Sequence, residues 1–124
     1  MPRIRILFIT ALAVLALAVA GAVQASAQKT ATGKLAASVG PGFTISFTQN
    51  GKKVKTLKAG TYKITVKDKS TMHNFHLFGH GINKKTVVST TSTVVWNVKF
   101  VVKGTYKFHC DAHPTILFGS FKVK

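Results

Sequence analysis

Residues 105–113 read Thr105-Tyr106-Lys107-Phe108-His109-Cys110-Asp111-Ala112-His113. Up to the cysteine, apolar and polar side chains alternate, which is the two-residue period of a strand with one buried face. Tyr106, Phe108 and Cys110 therefore share the face toward a core, and Lys107 and His109 face solvent. The pattern predicts that the cysteine lies at the end of a core-facing row.

The same local pattern occurs earlier, because Lys58-Ala59-Gly60-Thr61-Tyr62-Lys63-Ile64 resembles Val102-Lys103-Gly104-Thr105-Tyr106-Lys107-Phe108. Each copy predicts a turn that leads into a strand. Short β-branched and aromatic segments recur about every ten residues, without a helical period. We predict strands at Lys34–Val39, Phe43–Thr48, Thr61–Lys67, Asn74–Phe78, Thr86–Thr90, Thr93–Phe100, Thr105–Cys110 and Ser120–Lys124. Because these seven to eight short strands cannot bury both faces of one flat sheet, we predict an all-β fold of two packed sheets, a β-sandwich.

The N-terminus has the pattern of an export signal. Arg3 and Arg5 precede an uncharged Ala/Leu/Val-rich stretch, and Ala25 and Ala27 form an A-x-A cleavage pattern. We therefore predict a signal peptide over residues 1–27, one domain over residues 28–124, and a periplasmic or secreted location. An uncleaved membrane anchor is the alternative, since the apolar stretch is at the lower length limit for a bilayer span.

The mature chain is strongly basic. Removing the two arginines of the signal takes the formal charge from +16 to 16 − 2 = +14, carried by lysines against Asp68 and Asp111 alone. Nucleic-acid readers rely on arginine for bidentate contacts, so this lysine-only surface argues against nucleic-acid binding. It favours a self-repelling, monomeric protein that meets an acidic redox partner or an anionic surface.

Three residues form a candidate metal site: His73, Cys110 and His113. A lone cysteine cannot form an internal disulfide, and the histidines favour metal ligation over a free thiol. One thiolate and two imidazoles make a soft trigonal site that suits copper, and zinc with an added water is chemically possible. Pro114 restricts His113 to extended backbone angles, which we expect to hold the loop ready for metal.

These residues also carry a resemblance. His73-Asn74-Phe75, the stretch from Tyr106 to His113, and Gly119-Ser120-Phe121-Lys122-Val123 resemble the cupredoxins, the blue type 1 copper electron carriers. The resemblance covers most of residues 34–124. It implies a Greek-key β-sandwich with one copper at one end, and it gives Asn74 a role near the cysteine sulfur or between the two ligand segments.

The chain departs from the cupredoxin pattern at the axial position, where methionine is usual. Leu117 or Phe118 occupies that place here, depending on the alignment, and neither can bind copper. Loss of this donor favours Cu(I) and raises the reduction potential. The backbone carbonyl of Met72 is a weak axial candidate from the opposite side, while its thioether is expected to point away.

The resulting functional prediction is an electron carrier with no enzymatic activity. We expect an apolar loop of Pro114, Ile116, Leu117 and Phe118 to dock the partner. The alternatives are a copper-delivery protein that holds Cu(I), or a metal-free domain held to anionic surfaces by lysine. The remaining histidines suggest a weaker second possibility, a metal-capturing surface site made from His76, His80 and His109.

Overall fold

The computed structural model of the protein describes Gly21 and residues 31–124. Apart from Gly21, the predicted signal peptide over residues 1–27 lies outside the described residues, so its cleavage stays a prediction. No helix in the described part of the chain is long and apolar enough to span a bilayer.

The described residues form two five-stranded sheets. In chain order the strands are β1 (Ala31–Val39), β2 (Ile45–Gln49), β3 (Lys52–Lys53), β4 (Thr56–Leu57), β5 (Gly60–Asp68), β6 (His76–Gly79), β7 (Ile82–Lys85), β8 (Ser92–Phe100), β9 (Gly104–His109) and β10 (Phe118–Val123). The first sheet has the order β3-β2-β1-β5-β8, and the second has β4-β10-β9-β6-β7. Both sheets are mixed, because β1 pairs parallel with β5 and β4 pairs parallel with β10.

The core lies between the two sheets. Phe47 of β2 packs against Phe108 of β9 and Phe121 of β10, with ring centroids 5.6 and 4.8 Å apart. Along β5 every second residue is buried, as expected for a strand with one face on the core. The predicted all-β sandwich is therefore confirmed.

The two similar segments form the same local structure. The hydroxyl of Tyr62 donates to the carbonyl of Lys58 at 2.8 Å, and that of Tyr106 donates to the carbonyl of Val102 at 2.7 Å. Burial raises the pKa of both tyrosines, against the smaller lowering effect of these backbone hydrogen bonds. Each tyrosine thus closes a turn four residues upstream while its ring packs in the core.

Some predicted strand boundaries were wrong. Residues 86–90 are not a strand. The segment before them, Ile82–Lys85, is a strand instead, and it pairs with β6 on the side away from β9. That segment reads Ile-Asn-Lys-Lys at an edge of the sheet, with too few apolar residues to give a period. Strands β3 and β4 were not predicted, since two residues are too short to show alternation.

Candidate metal centre

The structure brings the three predicted ligands together at one end of the sandwich. Cys110 follows β9 directly, His113 lies in the loop before β10, and His73 precedes β6. The Nδ1 atoms of His73 and His113 are 3.0 Å apart, and the sulfur of Cys110 lies 3.8 and 3.9 Å from them. Cys110 is fully buried, His73 is 1% exposed and His113 is half-buried. Only the His113 side of the cluster therefore approaches solvent.

The loop between β9 and β10 is closed by its own backbone. The amide of Cys110 donates to the carbonyl of Leu117 at 2.9 Å, and the amide of Leu117 donates to the carbonyl of His113 at 2.9 Å. The amide of Ile116 also donates to the His113 carbonyl, at 3.2 Å. Pro114 thus occupies the second position of a four-residue turn, where its fixed φ is favoured. The turn holds two of the three candidate ligands in a short closed loop.

Asn74 connects the two ligand segments. Its backbone amide donates to the Cys110 sulfur at 3.4 Å. Its side-chain amide donates to a carboxylate oxygen of Asp111 at 2.8 Å, and its side-chain oxygen accepts from the Asp111 amide at 2.7 Å. Asn74 is 1% exposed, so its end of each bond is shielded from water, whereas Asp111 reaches the surface. This arrangement holds His73 and Cys110 in register across the sheet.

A second layer of polar contacts supports Asn74, and sequence reasoning did not find it. The side-chain amide of Asn74 also donates to the carbonyl of Thr86 at 3.1 Å. The Thr86 hydroxyl accepts from the amide of Phe75 at 2.9 Å and donates to Asp68 at 2.7 Å. Asp68 also accepts from the amide of Ser70 at 3.2 Å. The only sequence feature that distinguishes Asp68 is that it is one of just two acidic residues in the chain.

Leu117 and Phe118 occupy different environments. Leu117 is 2% exposed and belongs to the core, whereas Phe118 is 63% exposed. Phe118 lines a surface groove with Phe78 and Pro114, on the outside of the sheet. Of the two residues, Leu117 is therefore the one placed on the buried side of the ligand loop. The side chain of Met72 is exposed, which agrees with the expectation that its thioether points away.

Phe43 is a neighbour of the cluster that the sequence did not reveal. Its ring contacts His73 and His113 edge-on, with centroids 4.9 and 5.2 Å away. It lies in the loop before β2 instead of beginning that strand as predicted. Because it is separated from both histidines by at least thirty residues of sequence, no local pattern predicted the contact. Its half-exposed ring covers part of the solvent side of the site.

The three donor atoms fit a metal ion. Ligand bonds to nitrogen and sulfur of about 2.0 and 2.3 Å limit two donors of one ion to about 4.3 Å apart, and all three spacings are shorter. Two imidazoles and one buried sulfur form the soft donor set that suits copper. Zinc would take a water molecule as its fourth ligand here, because Leu117, on the buried side of the loop, offers no donor side chain.

A second cluster lies on the outer face of the same sheet. Oδ1 of Asp111 lies 2.6 Å from Nδ1 of His76 and 2.9 Å from Nε2 of His109. Burial opposes the charge of Asp111, but hydrogen bonds from His76, Asn74 and His109 and the charge of His76 outweigh it, lowering the pKa of Asp111 from 3.8 to about 2. His80 lies elsewhere and packs against Tyr106. The predicted trio is thus only partly brought together, and Asp111 takes the place of His80.

Comparisons with known proteins show what the fold resembles. No protein-family profile matches the chain, and no curated protein matches it in sequence. A crystal structure of the copper protein rusticyanin shares 23% identity at a TM-score of 0.50, covering 75% of this chain and 78% of that one. A rusticyanin point mutant gives the same values. A multi-copper oxidase from Pediococcus acidilactici shares 17% identity at a TM-score of 0.49, covering 78% of this chain and 27% of the oxidase. The chain thus has a cupredoxin-like fold.

Proposed function

We propose that this protein is an exported electron carrier that binds one type 1 copper through His73, Cys110 and His113. The observation that carries the proposal is the convergence of two imidazole nitrogens and one buried sulfur, 3.0 to 3.9 Å apart, at the end of a sandwich. The donor set is the one that copper prefers. The likeness in fold to a copper protein agrees with it.

Bound copper would supply a centre that gains and loses one electron. The chain's contribution is to keep the ligands in place while the charge of the site changes. His113 and Cys110 are held by the closed loop, and Asn74 ties the segment of His73 to that of Cys110. Side chains locked by packing and hydrogen bonds rearrange little, which favours fast transfer.

Two features favour the reduced form of the site. Leu117 lies on the buried side of the ligand loop without offering a donor. The amide of Asn74 donates a hydrogen bond to the cysteine sulfur, which lowers the electron density that the sulfur gives to copper. Axial ligation and hydrogen bonding at the sulfur both tune the potential of such sites. We therefore expect a high reduction potential.

The partner would dock where His113 reaches the surface. Leu117 was predicted to belong to the docking loop, but it is 2% exposed and cannot contact a partner. The exposed apolar side chains in the segments around this histidine are Phe43, Met72 and Ile116, each more than half exposed. The lysine-rich surface would steer a monomeric carrier toward an acidic redox protein in the periplasm or outside the cell. We propose no catalytic role for the site.

A copper-delivery role is the second candidate, favoured by Leu117 specifically. A site without an axial donor would hold Cu(I) well and bind Cu(II) poorly. The two roles differ in reversibility, because a carrier retains the metal through both oxidation states and a delivery protein releases it.

The test is the visible spectrum of the protein with one equivalent of Cu(II), in the wild type, Cys110→Ala and His80→Asn. An electron carrier develops the intense blue colour of thiolate-to-copper charge transfer, which Cys110→Ala abolishes. His80→Asn keeps the colour, because that histidine lies away from the cluster. A colourless protein that holds Cu(I) would support delivery, and absence of copper binding in either state would refute both roles.

A further inference from the structure

We propose that His76, His109 and Asp111 form a second metal site, for a divalent transition-metal ion such as Zn²⁺. The site lies on the outer face of the second sheet, whereas Cys110 belongs to the core side. It uses none of the three residues of the copper centre. The proposal therefore goes beyond the electron-carrier function and does not depend on it.

The strand register creates the cluster. His76 of β6 and His109 of β9 are directly paired across neighbouring antiparallel strands, so their side chains share one face. Asp111 follows His109 by two residues, and its carboxylate reaches back to both rings. The coordinating atoms of the three residues all lie within 4.8 Å of one another. Two imidazoles and one carboxylate, with room for water, are a zinc ligand set.

The hydrogen-bond partners of His76 are compatible with a cation in the cluster. Asn83 places its side-chain oxygen against Nε2 of His76, and an amide oxygen only accepts, so Nε2 carries the proton of the neutral ring. Nδ1 then carries a lone pair and can only accept, and it faces Oδ1 of Asp111, which also only accepts. In this orientation of the Asn83 amide, Nδ1 and Oδ1 share a cation, which is either a second proton on the ring or a metal ion. With the amide turned over, the N–H at Nδ1 of a neutral ring donates to Asp111 instead.

The surrounding contacts are those that orient metal ligands. A ligating histidine commonly donates its other N–H to a carbonyl or carboxylate, which sets the tautomer. For His76 the acceptor is the side-chain oxygen of Asn83. The second carboxylate oxygen of Asp111 accepts from buried Asn74, and its backbone amide donates to the same side chain. The carboxylate is therefore aimed at the histidines by groups that do not themselves coordinate.

The positive charge of nearby lysines repels a bound cation, and this repulsion predicts how the affinity for Zn²⁺ changes with salt. Lys85 is paired with His76 on β7, so an ammonium group belongs to the same face of the sheet. Lys85 is too close for salt to screen it, but the repulsion from lysines of this basic chain more than about 10 Å away is largely screened at about 0.1 M salt. The affinity for Zn²⁺ should thus rise with ionic strength, opposite to the behaviour of an acidic metal site.

The site is tested by adding Zn²⁺ in excess to ¹⁵N-labelled protein and recording imidazole nitrogen shifts. We expect Nδ1 of His76 and Nε2 of His109 to take metal-bound shifts. His76→Ala should remove the change at His109, and His80→Asn should leave it intact. Unchanged His76 and His109 in excess Zn²⁺, or a His109 change that persists in His76→Ala, would overturn the proposal. The imidazole signals of His73 and His113 report on the copper centre independently. A failure of that centre can therefore be distinguished from a failure of the second site.

Asn83→Ala supplies a variant that keeps all three ligands. Loss of an orienting partner typically weakens a metal site by about 10- to 100-fold, and we expect a reduction in Zn²⁺ affinity of that size by titration calorimetry. Asn83 is exposed, so the substitution leaves the core intact. An affinity equal to that of the wild type would contradict the proposed coordination through Nδ1 of His76.

Discussion

Replacing Asn74 by alanine tests how the copper centre is held together. The substitution removes three side-chain hydrogen bonds: to the Thr86 carbonyl, to the Asp111 carboxylate and from the Asp111 amide. It leaves the backbone hydrogen bond from residue 74 to the Cys110 sulfur possible. We therefore expect a loss of stability even in the metal-free protein, because the partners are left without donors or acceptors.

The magnitude follows from the partners. A neutral hydrogen bond contributes about 1 kcal/mol net, and one to a charged group about 1.5 to 3 kcal/mol. Two neutral bonds and one to the partly exposed Asp111 carboxylate, the latter taken at the low end of its range, give about 3.5 kcal/mol. Small domains are stable by about 5 to 15 kcal/mol, so a substantial part of the total is at stake.

The assay is urea unfolding of the metal-free protein at neutral pH, with Asn83→Ala as the matched control. Asn83 is exposed, and among the described residues its side chain hydrogen-bonds to His76, so the control should lose less than about 1 kcal/mol. If Asn74→Ala and Asn83→Ala lose the same free energy of unfolding, the buried network does not hold the two ligand segments together, and the proposed rigidity of the site is wrong.

Three further results are expected. Leu117→Met should lower the reduction potential of the copper-loaded protein in voltammetry and Phe118→Met should not, since only Leu117 is buried; equal shifts would contradict this. The pKa of Asp111 lies at about 2 in the fold against 3.8 ordinarily, so its contribution to stability is full above about pH 4 and is lost as the pH falls toward about 2. Asp111→Asn should accordingly make the stability depend less on pH in acid, as measured by unfolding followed through the fluorescence of Trp96. An unchanged acid profile would refute that contribution. Electron exchange with an acidic redox protein should slow between about 0.01 and 0.15 M salt in stopped-flow mixing, whereas a salt-independent rate would exclude lysine steering.

Much of the fold was predictable because long strands show their period. Strands β5, β8 and β9 alternate between buried and more exposed residues, and all three were predicted within two residues of their bounds. The short strands β3, β4 and β7 were not predicted. They are stabilised by pairing at sheet edges, which their own side chains do not reveal.

The candidate copper cluster was predictable for a different reason. Cys110 and His113 are three residues apart in one loop, so their proximity is local, and a soft donor set narrows the chemistry. The contact of Phe43 with both histidines depends on packing between distant loops. The trio of His76, His109 and Asp111 depends on the register between β6 and β9, which a single sequence does not specify.

The placement of the two acidic residues connects these observations. The chain carries only Asp68 and Asp111 against eighteen basic residues, and neither contacts a lysine in a salt bridge among the described residues. Both instead belong to one hydrogen-bond path that runs from Asp68 through Thr86 and Asn74 to Asp111. The backbone amide of Asn74 also donates to the Cys110 sulfur. Both carboxyl groups of this basic chain therefore belong to the network that fixes the ligand segments. We infer that the geometry of the copper site, and not surface solubility, determines their positions.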